Sequence, residues 1–141
     1  TEPDVIRQLS DASAPGVTIR MIVRGICCLL PGVAKRTENI HVVNVVGRYL
    51  EHSRVYIFGS GKKERMYISS ADLMTRNTEK RVELAFPVID PKVRSRIKNT
   101  LLLNYMDNVK GRRLDSEGCY RRKEVKGAPV NSQQRLMDEQ I

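Results

Sequence analysis

The 141-residue chain carries 25 Lys and Arg against 16 Asp and Glu, a net charge of +9, with 40% hydrophobic and 29% charged residues. That balance fits one soluble globular domain and excludes a membrane span, since no stretch approaches the roughly 20 apolar residues such a span needs. Cys27, Cys28 and Cys119 are odd in number and two are adjacent, which argues against a disulfide framework and, without a Cys-x-x-Cys pair, against zinc, and fits a reducing compartment.

In chain order, Asp4 to Ala14 reads as a helix with Val5, Ile6, Leu9 and Ala12 on one face and Gly16 as its stop. Val17 to Val23 is a β-branched, mostly apolar run and reads as a buried strand, followed at once by Arg24-Gly25. Gly25 to Glu38 reads as a loop with a short helical turn, and Ile40 to Val46 as a second strand. Arg54 to Phe58 and Arg65 to Ser69 read as a hairpin around the Gly-rich tip Gly59-Ser60-Gly61-Lys62-Lys63, which is a solvated turn rather than a Walker loop. Ser70 to Asn77 is a loop or helical turn, and Arg81 to Phe86 a strand ended by Pro87. Asp90-Pro91 starts a helix with Val93, Ile97, Leu101 and Tyr105 on its apolar face, lasting to about Asn108. Arg112 to Lys126 reads as a basic tail with a turn at Asp115 to Gly118; Gly127-Ala128-Pro129 is a linker, and Asn131 caps a final short helix. Strands alternating with helices predict an α/β fold with a mixed sheet. The chain opens at Thr1 without a methionine, straight into a helical pattern and with no signal peptide, so we expect a fragment of a longer protein.

The positive charge is concentrated late: residues 92–126 hold 11 basic and 4 acidic side chains, net +7. Such asymmetry points to a polyanion, whether nucleic acid, an anionic membrane or another phosphate polymer. With 5% aromatic residues, the chain is poorly equipped to stack single-stranded bases.

Two residues stand out for chemistry. Arg24 sits where a buried strand ends, the place where open α/β sheets collect ligands, and its planar fork suits phosphate; a plain surface arginine is the competing reading. His52 lies at the mouth of the hairpin. If the hairpin is centred on Gly61, His52 faces Ser70 and Arg54 faces Ile68, so His52 and Arg54 project together beside the hydroxyl of Ser69 or Ser70. A histidine beside a fixed cation and hydroxyls suits phosphoryl transfer, although a satisfied surface histidine fits the spacing as well. His41, inside an alternating strand, reads as structural.

Three segments carry a family resemblance: Ile22-Val23-Arg24-Gly25-Ile26-Cys27-Cys28-Leu29, then Val45-Val46-Gly47-Arg48-Tyr49-Leu50-Glu51-His52-Ser53-Arg54-Val55-Tyr56, then Tyr67-Ile68-Ser69-Ser70-Ala71-Asp72-Leu73-Met74-Thr75-Arg76-Asn77. In this order they closely resemble the last domain of long-form bacterial polyphosphate kinases, over residues 1–125, leaving 126–141 as linker and short C-terminal helix or tail. The resemblance implies a phospholipase D-like mixed sheet flanked by helices, in a single domain that supplies half of a catalytic core. Against the His-x-Lys, Asp and Gly-Ser-x-Asn pattern of that superfamily, Arg54 replaces Lys, Gly59 falls where the Asp is expected, and Asp72 stands in the Asn position. These departures fit the kinase branch rather than a generic phosphodiesterase.

The resemblance further implies that Arg24 and His52 contact ATP phosphates, with Arg54, Ser69 and Ser70 as weaker candidates, and that the phosphorylated histidine belongs to the preceding domain. ATP with magnesium then serves the full enzyme, no metal or cofactor is held stably by this fragment, and the fragment alone is inactive. The implied partners are ATP, ADP, polyphosphate, the preceding domains of the same polypeptide and further copies in a homo-oligomer, in the cytoplasm or peripheral at the membrane, with nucleic acid disfavoured. Two rivals stand beside this reading. A phospholipase D-like nuclease half-site is distinguished by phosphodiester hydrolysis, and a basic nucleic-acid-binding module by salt-dependent DNA binding that ignores polyphosphate.

Overall fold

The computed structural model describes residues 2–124 and 127–139. In chain order the elements are α1 (Pro3–Ser13), β1 (Ile19–Ile22), β2 (Ile40–Val45), β3 (Val55–Phe58), β4 (Arg65–Ser69), α2 (Thr75–Lys80), β5 (Ala85–Pro87), α3 (Pro91–Met106), β6 (Gly111–Leu114), β7 (Tyr120–Arg122) and α4 (Ser132–Asp138). They form a mixed α/β fold with two sheets.

The first sheet has the order β1-β2-β6-β7. β1 and β2 are parallel, with Ile22 opposite Val43, and β6 and β7 add antiparallel neighbours. β2 is buried at five of its six positions, which explains its mostly apolar sequence: a central strand has both faces covered. Ile40, Val42, Leu114 and Leu29 form a buried cluster on one face, closed by Ile6 and Leu9 of α1 and by Met21, Cys27 and Tyr120. Each fully buried aliphatic chain there contributes about 1.5–3 kcal/mol. The helical face read from α1 is therefore the packed one, and Cys27 is a small core residue while Cys28 is exposed; all three cysteines are free thiols.

Residues 112–122 are not a tail, and the last two residues of the expected stretch, 125 and 126, lie outside the described residues. The turn at Asp115 to Gly118 is correct, but the flanks are strands β6 and β7 of the main sheet. Only Leu114 and Tyr120 carry the apolar signal of this ribbon; the arginines between them lie on a strand pair whose outer member is the sheet edge, where charged side chains are tolerated.

The second sheet is antiparallel, order β3-β4-β5. Its register differs from the expected one by a single residue: Val55, not Arg54, faces Ile68. The cause is the connection, six residues from Gly59 to Glu64 with a 3-10 turn at Gly61–Lys63, so the hairpin is centred between two residues rather than on Gly61. β5 is also shorter than expected and includes Pro87. The Ser70 hydroxyl accepts from the Leu84 N–H at 3.1 Å where a strand would offer a carbonyl, so regular pairing begins only at Ala85. Pro87 is tolerated because β5 is an edge.

α3 starts as expected, the Asp90 carboxylate accepting from the N–H groups of Lys92 and Val93 at 2.8 and 2.9 Å. It ends at Met106 and packs on β1, β6 and α4. Arg94 and Lys98 on α3 each approach the Glu64 carboxylate at 2.6 Å, tying the second sheet to the helix. Both hold the Glu64 carboxyl below its ordinary value.

Candidate functional site

β1 and β2 are parallel, so both leave the sheet at the same end. There the Val23 N–H donates to the Val43 carbonyl at 2.9 Å, and the Asn44 amide donates to the Val23 carbonyl at 2.7 Å. Arg24 follows immediately, exposed, its side chain making no hydrogen bond or ion pair among the described residues. Asn44 thus fixes the backbone from which an unneutralised guanidinium projects. A polar residue at an otherwise buried position of an apolar strand was the sequence signal for it.

From the same sheet end, β2 continues through residues 46–54 into β3, carrying His52. The His52 ring is exposed and lies against Arg54, with guanidinium nitrogens 2.9 Å from Nε2 and 3.3 Å from Nδ1. A guanidinium has donors only, so the ring nitrogen that bonds it presents its lone pair. Arg54 also donates to both Asp72 oxygens, at 2.9 and 3.2 Å. Bonded Arg54 holds the Asp72 carboxyl below its ordinary value against the upward push of burial, and Asp72 in turn raises Arg54. The loop holding Asp72 is itself closed, its carbonyl accepting from the Met74 N–H at 2.8 Å and the Asn77 amide at 3.1 Å. His52 and Arg54 therefore meet, as the sequence predicted. Asp72 as the bidentate partner of Arg54 was not legible, because it lies on the loop after the hairpin.

The two serines are used otherwise. The Ser69 hydroxyl donates to the Leu84 carbonyl at 2.9 Å and accepts from the Ala71 N–H at 3.1 Å. The Ser70 hydroxyl donates to the Glu83 carboxylate. His41 lies in β2 with Nδ1 3.2 Å from Arg113. A groove of about 690 Å³ runs along α1 beside Ile6, Ser10, Cys28, Lys35 and Arg36, and none of the candidate residues lines it.

A second layer reaches this corner from α4. The Gln133 amide brackets Tyr49: its oxygen accepts from the Tyr49 N–H at 3.0 Å, and its nitrogen donates to the Tyr49 carbonyl at 2.8 Å and to the Glu51 carboxylate at 2.9 Å. Gly47 makes the approach possible, since a Cβ there would sit 2.3 Å from the Gln133 oxygen. α4 is held in turn by Asp107, whose side chain is fully buried. One Asp107 oxygen accepts from the N–H groups of Val109, Lys110 and Gly111, and the other from the N–H and hydroxyl of Ser132, all at 2.7–3.0 Å. Burial pushes the Asp107 carboxyl up, but these bonds outweigh it and the net shift is downward.

A family model described as polyphosphate kinase C-terminal domain 2 matches residues 1–134. The chain belongs to that family. This polyphosphate kinase C-terminal domain is 49% identical over its whole length to 19% of a polyphosphate kinase of Staphylococcus epidermidis. It is 52% identical over 120 residues, 85% of the chain and 17% of the relative, to one of Bacillus cereus. It is also similar to the crystal structure of polyphosphate kinase from Porphyromonas gingivalis, with a TM-score of 0.91 and 42% identity over 99% of this chain and 22% of that one. The polyphosphate kinase domain thus spans about a fifth of the length of these relatives. Among the described residues, no helix of this domain is long and apolar enough to cross a membrane.

Proposed function

We propose that this chain is the C-terminal catalytic module of an ATP–polyphosphate phosphotransferase. The observation that carries the reading is an exposed His52 ring held by the Arg54–Asp72 clamp, together with an unpaired Arg24 guanidinium on a fixed backbone at the end of β1. Family membership supplies the substrate class.

The γ-phosphoryl of ATP passes to a histidine of the preceding domain, breaking its P–O bond to ADP and forming an N–P bond. That bond then breaks as the phosphoryl group joins the terminal phosphate of polyphosphate, and the sequence runs in either direction. Arg24 neutralises charge on the transferring group through its planar fork. His52 manages the proton or charge at the leaving oxygen. Arg54, its charge matched by Asp72, acts chiefly to orient His52. The carboxylates around His52 are engaged, Glu51 by the Gln133 amide, Asp72 by Arg54 and Glu83 by the Ser70 hydroxyl. This donor set does not fit a magnesium ion.

The test compares the full-length protein with the isolated 141-residue chain, each given ATP, magnesium and polyphosphate primer. Chain growth by the full-length protein and none by the fragment is expected. Sustained synthesis by the fragment defeats the half-site reading, and phosphodiester hydrolysis without chain growth by the full-length protein defeats the kinase reading.

A further inference from the structure

We infer that Arg112 and Arg122 form a second phosphate-binding point for the polymer, on the β6–β7 ribbon at the end of the sheet where Arg24 follows β1. The identity of the polymer rests on the polyphosphate reading above; the site itself rests on register and charge.

In the ladder, Asn44 is opposite Arg112 and Arg112 is opposite Arg122. Residues directly opposite on neighbouring strands share a face. Asn44 also bonds the Val23 carbonyl, so one row crosses the sheet from Val23 through Asn44 and Arg112 to Arg122, with Arg24 next in the chain after Val23. Two residues further into the sheet, the same face is the core, with Val42, Leu114 and Tyr120 packed together. The face changes from apolar to cationic at the end where β1 and β2 stop, which is where ligands of such sheets collect.

Like charges directly opposite destabilise a strand pair, and the neighbouring row shows how this chain relieves that cost. Arg121 approaches Asp115 at 2.9 Å and Glu117 at 3.6 Å, and Arg113 meets His41 at 3.2 Å. Arg112 and Arg122 are exposed, and their side chains have no acidic partner or hydrogen bond among the described residues. Two adjacent unpaired guanidinium forks suit a dianionic or polyanionic phosphate. Three inter-strand steps separate the strand of Arg24 from that of Arg122, about 14 Å. A phosphate chain that reaches across this spacing is longer than a nucleotide's triphosphate.

The test uses the full-length protein and equilibrium binding of long-chain polyphosphate, with short-chain polyphosphate and ATP as references. Arg112→Gln/Arg122→Gln is expected to weaken long-chain binding about tenfold and flatten its salt dependence, because two phosphate contacts are lost. ATP and short-chain affinity stay at wild-type values, and the melting temperature does not fall, since an opposed pair of like charges is removed. Arg121→Gln, which removes an already paired arginine, leaves long-chain affinity unchanged. Arg122→Gln alone, on the exposed edge strand, is expected to weaken long-chain binding about threefold and serves if the double variant does not fold. Wild-type long-chain affinity in these variants, while the protein still elongates polyphosphate, overturns the inference and leaves the kinase reading standing. A protein that neither binds nor elongates polyphosphate overturns both. Loss of single-stranded nucleic acid binding with polyphosphate binding intact assigns the row to nucleic acid and overturns the inference.

Discussion

Asp107→Asn tests whether the buried carboxylate holds α4 in place. The substitution keeps shape and one oxygen, which still accepts from Val109, Lys110 and Gly111. The other position becomes an NH2 group facing the N–H and hydroxyl of Ser132, which in the wild type each donate to a carboxylate oxygen at 2.8 Å. The hydroxyl can rotate to accept; the backbone N–H cannot. One buried unsatisfied donor costs about 1–3 kcal/mol, and the three remaining bonds lose their charge assistance. A total of about 2–4 kcal/mol is expected, which at roughly 3–4 °C per kcal/mol for a chain of this size lowers Tm by about 10 °C. The wild-type advantage has a defined pH window. Because the folded carboxyl sits below its ordinary value, its stabilisation is complete above the unfolded pKa of about 3.9 and fades as pH falls through the folded value. Urea unfolding of both proteins at neutral pH and at stepwise lower pH measures this. A difference under about 1 kcal/mol at neutral pH, or one that grows on acidification, refutes the reasoning.

The remaining expectations concern the sheet end in the full-length protein. Arg24→Ala is expected to lower kcat about 10²–10³-fold with Tm unchanged, and Arg24→Lys to recover little; normal turnover with early melting makes Arg24 structural. His52→Ala is expected to lose steady-state synthesis while an acid-labile phosphoenzyme still forms outside residues 1–141, and His52→Gln to recover part of the rate if orientation dominates. Peptide mapping after labelled ATP decides, and phosphate on His52 itself during turnover reverses the assignment. Gly47→Ala and Gln133→Ala are each expected to lower kcat, with a double variant no worse than either alone, because both break the Tyr49 bracket; additive losses show that they act separately.

The parts of the fold that were legible in the sequence are those where one local signal dominates. Asp90-Pro91 names its own helix start, the β-branched run at β2 marks a strand, and Asn131 caps α4 by accepting from the Gln134 N–H at 3.3 Å. The meeting of His52 with Arg54 also followed from chain proximity. What failed depended on partners. The β6–β7 ribbon looks like a charged tail because its strand character comes from pairing with β2, and the hairpin register turned on one residue of loop length. Asp72, Gln133 and Asp107 do their work through contacts 18 to 84 positions away or through a buried cage of N–H groups, and neither leaves a periodic trace.

The bracket on Tyr49 closes across 84 positions of chain. At a synthesis rate of about 5–20 residues per second, the segment leading to His52 emerges from the ribosome about 4–17 s before the glutamine that clamps it. Both sheets can pair during that interval, but the His52 loop cannot reach its final geometry. In a nascent or nicked chain lacking α4 this corner is therefore unset, and maturation of the site trails pairing of the strands. The Tyr49 amide should gain protection from hydrogen exchange only when α4 docks, later than those of β2.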